Sequence, residues 1–294
     1  MAVKHRVGAE PCAGIEQLTG SLRDGAVEDR TLDEGLLARV SDLDAPWQWL
    51  ATARADARYA LYSALEEEQG ASTSAPAATT EPARVLELAQ IAFGRLRGVL
   101  AGVDDELLDR EPAAGEWSLR RTLAHAIGVE RSYRANTELA VVRADSDPLS
   151  LPQDPDVPVR TATGEHRRPR PGPADTAGGV LDIVAAFARR RAETDAALSA
   201  LSDAELRRPS QWGAVHDPAV IDVRFRLHRF ASHIAEHTVQ CETTIAALGV
   251  PLTDARAIVR AIAAARGMHE RRSPQTVLDA LDAALLARAD AIGA

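Results

Sequence analysis

Two histidines, His233 and His237, stand four residues apart in the segment HRFASHIAEHTVQ. On a helix that spacing stacks the two rings on one face, one turn apart. A divalent ion held about 2.0–2.1 Å from each nitrogen needs this kind of convergence. The apolar stripe of the same segment is Phe230, Ile234, Cys241, Ile245 and Leu248. His237 falls inside that stripe and His233 about 60° to one side, so both are expected to face an interior. A buried imidazole needs partners for both nitrogens, which favours shared ligation over two unrelated surface histidines. Gln240 lies just short of one turn beyond His237, on the His233 flank, and His228 is expected to face solvent.

HIAEH also matches the inverted zinc-protease pattern H-x-x-E-H, in which the Glu activates water. That reading is set aside, because Glu236 projects about 100° away from His237 around the helix. The candidate third ligand is His125, in GEWSLRRTLAHAIGVE. It lies about 120° from the centre of its own helix's apolar stripe, which suits either a second bundle neighbour or partial exposure. His5, His166, His216 and His269 stand in polar or irregular contexts and are expected to be solvated. The basic stretch HRRPRP from His166 is likewise expected to be a solvated loop.

Other inward polar residues could complete a site. Arg191 and Thr194 lie on one apolar stripe, and Arg226 lies about 40° from another. A buried Arg near a cationic metal would suit an acidic substrate or cofactor carboxylate. The alternative for Arg191 is an internal ion pair with Glu130, which sits at the centre of its own stripe. Tyr133, one turn beyond Glu130, could line a pocket or pack in a core. Cys241, one turn after His237, is read as a small core residue rather than a fourth ligand.

These residues need helices to position them, and helical signals dominate the chain. No convincing period-2 strand is found. From Asp44, DAPWQWLATARADARYALYSALEEE starts like a helix, with Asp44 as N-cap and Pro46 in the first turn. The small-residue stretch after Glu68 reads as a linker over residues 70–81. A second helix is expected from about Ala83 to Ala101, with Val85, Leu88, Ala92, Leu96 and Val99 as its stripe. A third begins at Ser118 as N-cap and carries Leu119, Leu123, Ala126, Ile127, Tyr133, Thr137 and Val141 inward. Residues 145–178 hold seven prolines. Such a segment cannot be a helix interior and suggests a lid, a binding loop or disorder. A fourth helix carries Val180, Val184, Phe187, Arg191, Thr194, Leu198 and Leu201. A fifth is expected from about Val220 to Leu248, stopped by Gly249-Val250-Pro251. Two more, at about 253–266 and 274–292, close the chain.

The expected fold is therefore all-α: a four-helix bundle over residues 82–249, with one long crossover at the proline-rich loop. Residues 1–70 and 252–294 would be N- and C-terminal helical extensions. With 294 residues and 46% hydrophobic content the chain can bury a core, but only 4% is aromatic, so that core must be mostly aliphatic. A net charge of −9 argues against a nucleic-acid binder. No apolar run approaches the ~20 residues of a membrane span, and no signal-peptide pattern follows Met1. Two cysteines, Cys12 and Cys241, make no disulfide framework. A soluble, cytoplasmic protein is expected.

On these residues the sequence resembles the DinB-like superfamily of metal-binding four-helix bundles. In that family a Trp-Ser pair opens a helix and a histidine seven residues after the Ser is a ligand. Here these are Trp117, Ser118 and His125. The family's H-x3-H pair on the last bundle helix, often followed by Gln, corresponds to His233, His237 and Gln240. The resemblance covers about residues 82–249. It implies a divalent zinc, nickel or iron ion on three histidines, with positions left open for water or substrate. It also implies thiol S-transferase or isomerase chemistry, as in mycothiol-dependent maleylpyruvate isomerases, with a low-molecular-weight thiol as cofactor. Arg191, Gln240, Tyr133 and Arg226 are the candidate substrate-binding residues. A small-molecule substrate is expected and the family pattern allows a homodimer; neither nucleic acid nor membrane is expected as a partner. The rival expectation is a non-catalytic metal- or ligand-binding stress or regulatory protein.

Overall fold

The structure, a computed structural model, describes residues 37, 40, 42–50, 53–170, 172, 175–213 and 219–292. The expectations for His5, Cys12 and His216, and most of the N-terminal segment, lie outside these residues. Four helices form the bundle, each started by its own local signal. Helix α1 (Ala57–Ser74) precedes them and is capped by Asp56, whose side chain accepts from the Tyr59 amide. Thr80 caps α2 (Glu81–Leu100), with Pro82 in the first turn where no amide partner is needed. Ser118 caps α3 (Leu119–Val142) as expected. Helix α4 spans Val180–Leu198, and a short α5 (Asp203–Leu206) carries a Ser202/Glu205 capping box. Asp222 caps α6 (Val223–Ala247) through the Phe225 amide at 2.7 Å. Gly249, at φ +85°, ends it in the left-handed region that glycine adopts without strain.

Helix α2 packs on α6, α6 on α3, α3 on α4, and α4 back on α2, so consecutive α2 and α3 stand diagonally. Their shared core includes Leu86, Phe93, Leu96, Leu123, Ile127, Phe187, Phe230 and Ile234. Phe93 and Phe187 meet edge to face at 5.1 Å, a favoured aromatic geometry. Leu88, placed in the expected stripe of α2, is instead 48% exposed. The other four expected positions, Val85, Ala92, Leu96 and Val99, are buried, and Leu86, Ala89, Phe93 and Leu100 join them because α2 is covered on two sides.

Helix α7 (Asp254–Gly267) lies against the outer face of α2, α1 covers it, and α8 (Gln275–Ala291) packs on α1. The approach of α7 to α2 is close because both present glycines. A Cβ on Gly94 would stand 2.5 Å from the Ala263 carbonyl oxygen, and one on Gly267 2.8 Å from that of Gln90. Ala57, Leu61, Val259, Ile262 and Leu285 form a second core here. His269, expected to be solvated, is buried: its Nε2 lies 2.7 Å from Glu68, which also holds Arg266 at 2.8 Å. A polar sequence context hides a residue whose partner comes from the far side of the chain.

Three short antiparallel hairpins correct the expectation of no strands: β1 (Pro46–Leu50) with β2 (Ala53–Asp56), β3 (Val159–Thr161) with β4 (Gly164–His166), and β5 (Pro209–Trp212) with β6 (Ala219–Asp222). The first replaces the start of the helix expected from Asp44. Trp49 packs edge to face on Tyr59 at 5.1 Å, and Trp47 lies 6.4 Å from the same ring, so the aromatics favour an extended hairpin folded onto α1. The expected linker over 70–81 is shorter, because α1 continues to Ser74. The hydroxyls of Thr73 and Ser74 donate to the Gly70 carbonyl within that last turn.

The described part of the proline-rich segment is packed chain. Leu151 and Val159 bury against Leu139 of α3, and the Leu151 amide donates to Asn136 Oδ1 at 2.9 Å. Gln211 of β5 donates its amide to the Leu149 carbonyl at 3.0 Å. The segment is thereby fastened beside α3 and the β5–β6 hairpin. No helix among the described residues is long and apolar enough to cross a membrane.

Candidate metal centre and its two cavities

His233 and His237 both point inward from α6, at 7% and 5% exposure. Their Nε2 atoms stand 3.0 Å apart. The Ser118 cap sets the phase of α3 so that His125, two turns on, faces them. Its ring centroid lies 4.9 Å from that of His237 and 5.3 Å from that of His233. Trp117 packs edge to face on His125 at 5.2 Å, and Arg121 stacks on Trp117 at 4.8 Å. One nitrogen from each histidine falls within 4.8 Å of the other two, and among the described residues these three form the group able to share an ion.

The donor set fits a divalent metal. Two nitrogens on one ion at about 2.1 Å stand roughly 3.0–3.4 Å apart, and the α6 pair already meets that spacing. The ligand form of histidine is the neutral ring. Burial, reinforced by His237 and His125, pushes the His233 pKa down to about 3. Burial and the neighbouring His237 lower that of His125 as well. His237 Nδ1 donates to Gln240 Oε1 at 2.9 Å, which leaves the lone pair on Nε2, the atom turned toward His233. His125 is the exposed member of the three, so one side of the group is open.

Two cavities meet at the histidines. A smaller one of about 490 Å³ is lined by Glu116, Trp117, His125, Glu236, His237 and Gln240, among others. A larger one of about 1140 Å³ reaches past His125 and His233 to Tyr133, Trp212, Arg226 and the proline-rich loop at Arg168. Both touch His125, Glu236 and His237.

The structure brings together six of the seven residues singled out by sequence. Tyr133 lines the larger cavity with its ring 5.7 Å from His233 and 5.3 Å from Trp212. Burial raises its pKa, against the pull of Arg229 and Arg226. Arg226 lines the same cavity and Gln240 the smaller one. Arg191 does not line either. At 1% exposure it holds Glu130 at 2.6 Å and Asp195 at 2.9 Å inside the bundle, so its inward position serves an ion pair. Cys241 is fully buried, and burial pushes its thiol pKa up to about 12, which suits a core residue.

Sequence reasoning missed Arg229, Trp212 and Arg168 on the cavity wall. Arg229 was within reach, since 226, 229, 233 and 237 follow one helical line beside the apolar stripe. Arg168 lies in an aperiodic loop and carries no such signal.

No curated protein matches this chain. Among solved structures, YfiT from Bacillus subtilis, described as "a probable metal-dependent hydrolase with an unusual four-helix bundle topology", is similar at 13% identity. The similarity covers 60% of this chain and 92% of that one, with a TM-score of 0.43. The sequence model of the DinB superfamily matches residues 88–241, which span α2 through the histidine pair of α6. This chain belongs to the DinB superfamily.

Proposed function

We propose that the chain is a metal-dependent enzyme, a transferase or isomerase that works with a low-molecular-weight thiol such as mycothiol. His125, His233 and His237 would hold a divalent zinc, nickel or iron ion. The observation that carries this reading is the convergence of three imidazoles at the junction of two cavities. A bound ion would favour the thiolate form of a thiol at neutral pH. Gln240 fixes the tautomer of His237, and burial keeps His233 neutral. Two cavities suit a reaction with two organic partners: the narrower beside Gln240 and Trp117, the wider beside Tyr133 and Arg226. The same reading takes the protein as cytoplasmic and its partners as small molecules, with a homodimer as the allowed assembly.

The test is metal content by mass spectrometry on untagged protein, with His125→Ala and His237→Ala variants, followed by thiol consumption against a panel of electrophiles. About one equivalent of metal, lost in both variants, with thiol-dependent turnover supports the reading. Metal without turnover supports a non-catalytic metal-binding protein instead. No metal after reconstitution with zinc, nickel and iron(II) would end both.

A further inference from the structure

The wall of the larger cavity carries more positive charge than its carboxylates offset. Arg131 is held by Asp175 at 3.1 Å, Arg170 is paired with Asp156, and Arg229 lies 3.9 Å from Glu236. Arg226 and Arg168 have no such partner. Arg226 is 3% exposed, yet its Nη2 donates only to Ser210 Oγ and the Gln211 carbonyl, each at 2.7 Å. Its Nε is buried without any hydrogen-bond partner. Arg168 donates to the carbonyls of Pro152 and Leu151 and to Ser132 Oγ, all neutral acceptors. The two cations also feel one another, since Arg168 adds to the lowering of the Arg226 pKa that burial begins. That pKa is lowered to about 10, so the Arg226 guanidinium stays charged at neutral pH.

A buried guanidinium is normally paired, and like charges facing one cavity without an anion are costly. A ligand oxyanion would supply the missing partner, and arginine's planar fork matches carboxylate and phosphate geometry. Trp212 gives this corner a rigid floor, with Arg226 at 5.6 Å and Arg229 at 5.4 Å from its ring. We propose that the larger cavity binds an acidic small molecule through an anionic oxygen group, carboxylate or phosphate, held by Arg226 and Arg168. The proline-rich loop then contributes to ligand selection by carrying Arg168 into the wall. This deepens the reading of the histidine cavity as the site of chemistry and rests on it; Arg226 belongs to both, and Arg168 is new to this one.

The test is calorimetric titration of the full chain with succinate, with inorganic phosphate and with neutral succinamide. Wild type, Arg168→Gln, Arg226→Gln and His237→Ala are compared. Succinate or phosphate is expected to bind and succinamide is not; whichever anion binds identifies the acid group. Each arginine variant should weaken binding at least 10-fold, while His237→Ala should retain it. If Arg226→Gln fails to fold, Arg168→Gln decides, since that side chain is half-buried on a loop outside the helical bundle. No anion binding at millimolar concentration, equal binding in the folded arginine variants, or loss in His237→Ala would each overturn the proposal. Anion binding in a protein that never takes up metal would remove the enzyme reading and leave this one standing. Metal and turnover without anion binding would do the reverse.

Discussion

Gln240 Oε1 accepts the Nδ1 proton of His237 at 2.9 Å, one turn along the same helix and on the far side of the ring from His233. A local contact of this kind fixes both the ring plane and the tautomer, and outer partners of metal-ligating histidines typically contribute 10–100-fold in affinity. Gln240→Leu is therefore expected to weaken zinc binding about 10–100-fold in a chelator competition assay, with little change in the melting curve. Gln240→Glu keeps the acceptor and should retain most of the affinity. Equal zinc affinity in Gln240→Leu and wild type would remove Gln240 from the site.

Arg191 has the inward phase of a ligand-binding residue but the surroundings of a structural one. Its guanidinium is shared between Glu130 and Asp195, and a further nitrogen contact goes to the Leu86 carbonyl at 3.3 Å. Glu130→Gln leaves a buried cation with one carboxylate fewer. Unpairing a buried charge typically costs about 3–5 kcal/mol, and Asp195 should hold the loss to about 3 kcal/mol. Urea unfolding should show that drop while metal content stays at the wild-type level. Unchanged stability with weakened substrate binding would return Arg191 to the site.

The parts of the site legible in the sequence are those whose position a short segment determines. The i, i+4 spacing puts His233 and His237 on one inward face, whereas helical phase alone left His125 open between a bundle neighbour and exposure, and the Trp117-Ser118-to-His125 resemblance marked it as a ligand. Arg168 was not legible, because it is placed by the Leu151–Asn136 hydrogen bond and the packing of Leu151 and Val159 on Leu139, all contacts across the loop. Arg191 was ambiguous for a different reason: helical phase says that a side chain points inward but not whether an acid or a ligand meets it. The β1–β2 hairpin was misread because Asp44 and Pro46 imitate a helix start, while the aromatic packing on Tyr59 that opposes it lies in the following helix. His269 was misread because its partner Glu68 stands 201 residues earlier in the chain.

Two glycines within helices should respond oppositely to the same substitution. On α2, a Cβ at Gly94 would come within 2.5 Å of the Ala263 carbonyl oxygen, a backbone atom that cannot turn away. Gly94→Ala must therefore push α7 off the bundle, at about 1–3 kcal/mol for overpacking. On α3, Gly128 has nothing within 4 Å of the same position. Gly128→Ala gains helix propensity without a clash and should stabilise by about 0.4–1 kcal/mol. Denaturant midpoints of the two variants should move in opposite directions. Equal shifts would mean that the α2–α7 spacing is looser than these contacts require.

Glu68 should govern the acid limb of stability. Burial alone would raise its pKa, but hydrogen bonds from His269 and Arg266, with the charge of Arg266, outweigh that and hold it below the ordinary 4.5. A folded-state pKa below the unfolded one means that the unfolded chain binds the proton more readily. The contribution is then fully present above about pH 4.5 and is lost as the pH falls through the folded value. Glu68→Gln removes this dependence and also takes a partner from Arg266, which keeps Asp282. At pH 7 the variant should be less stable by about 3 kcal/mol, the low end for unpairing a buried ion. Below pH 4.5 its stability should fall less steeply than that of the wild type, so the two curves converge in acid. Parallel curves over that range would show that another carboxylate controls the acid transition, and would separate the α1–α7 ion cluster from the stability of the fold.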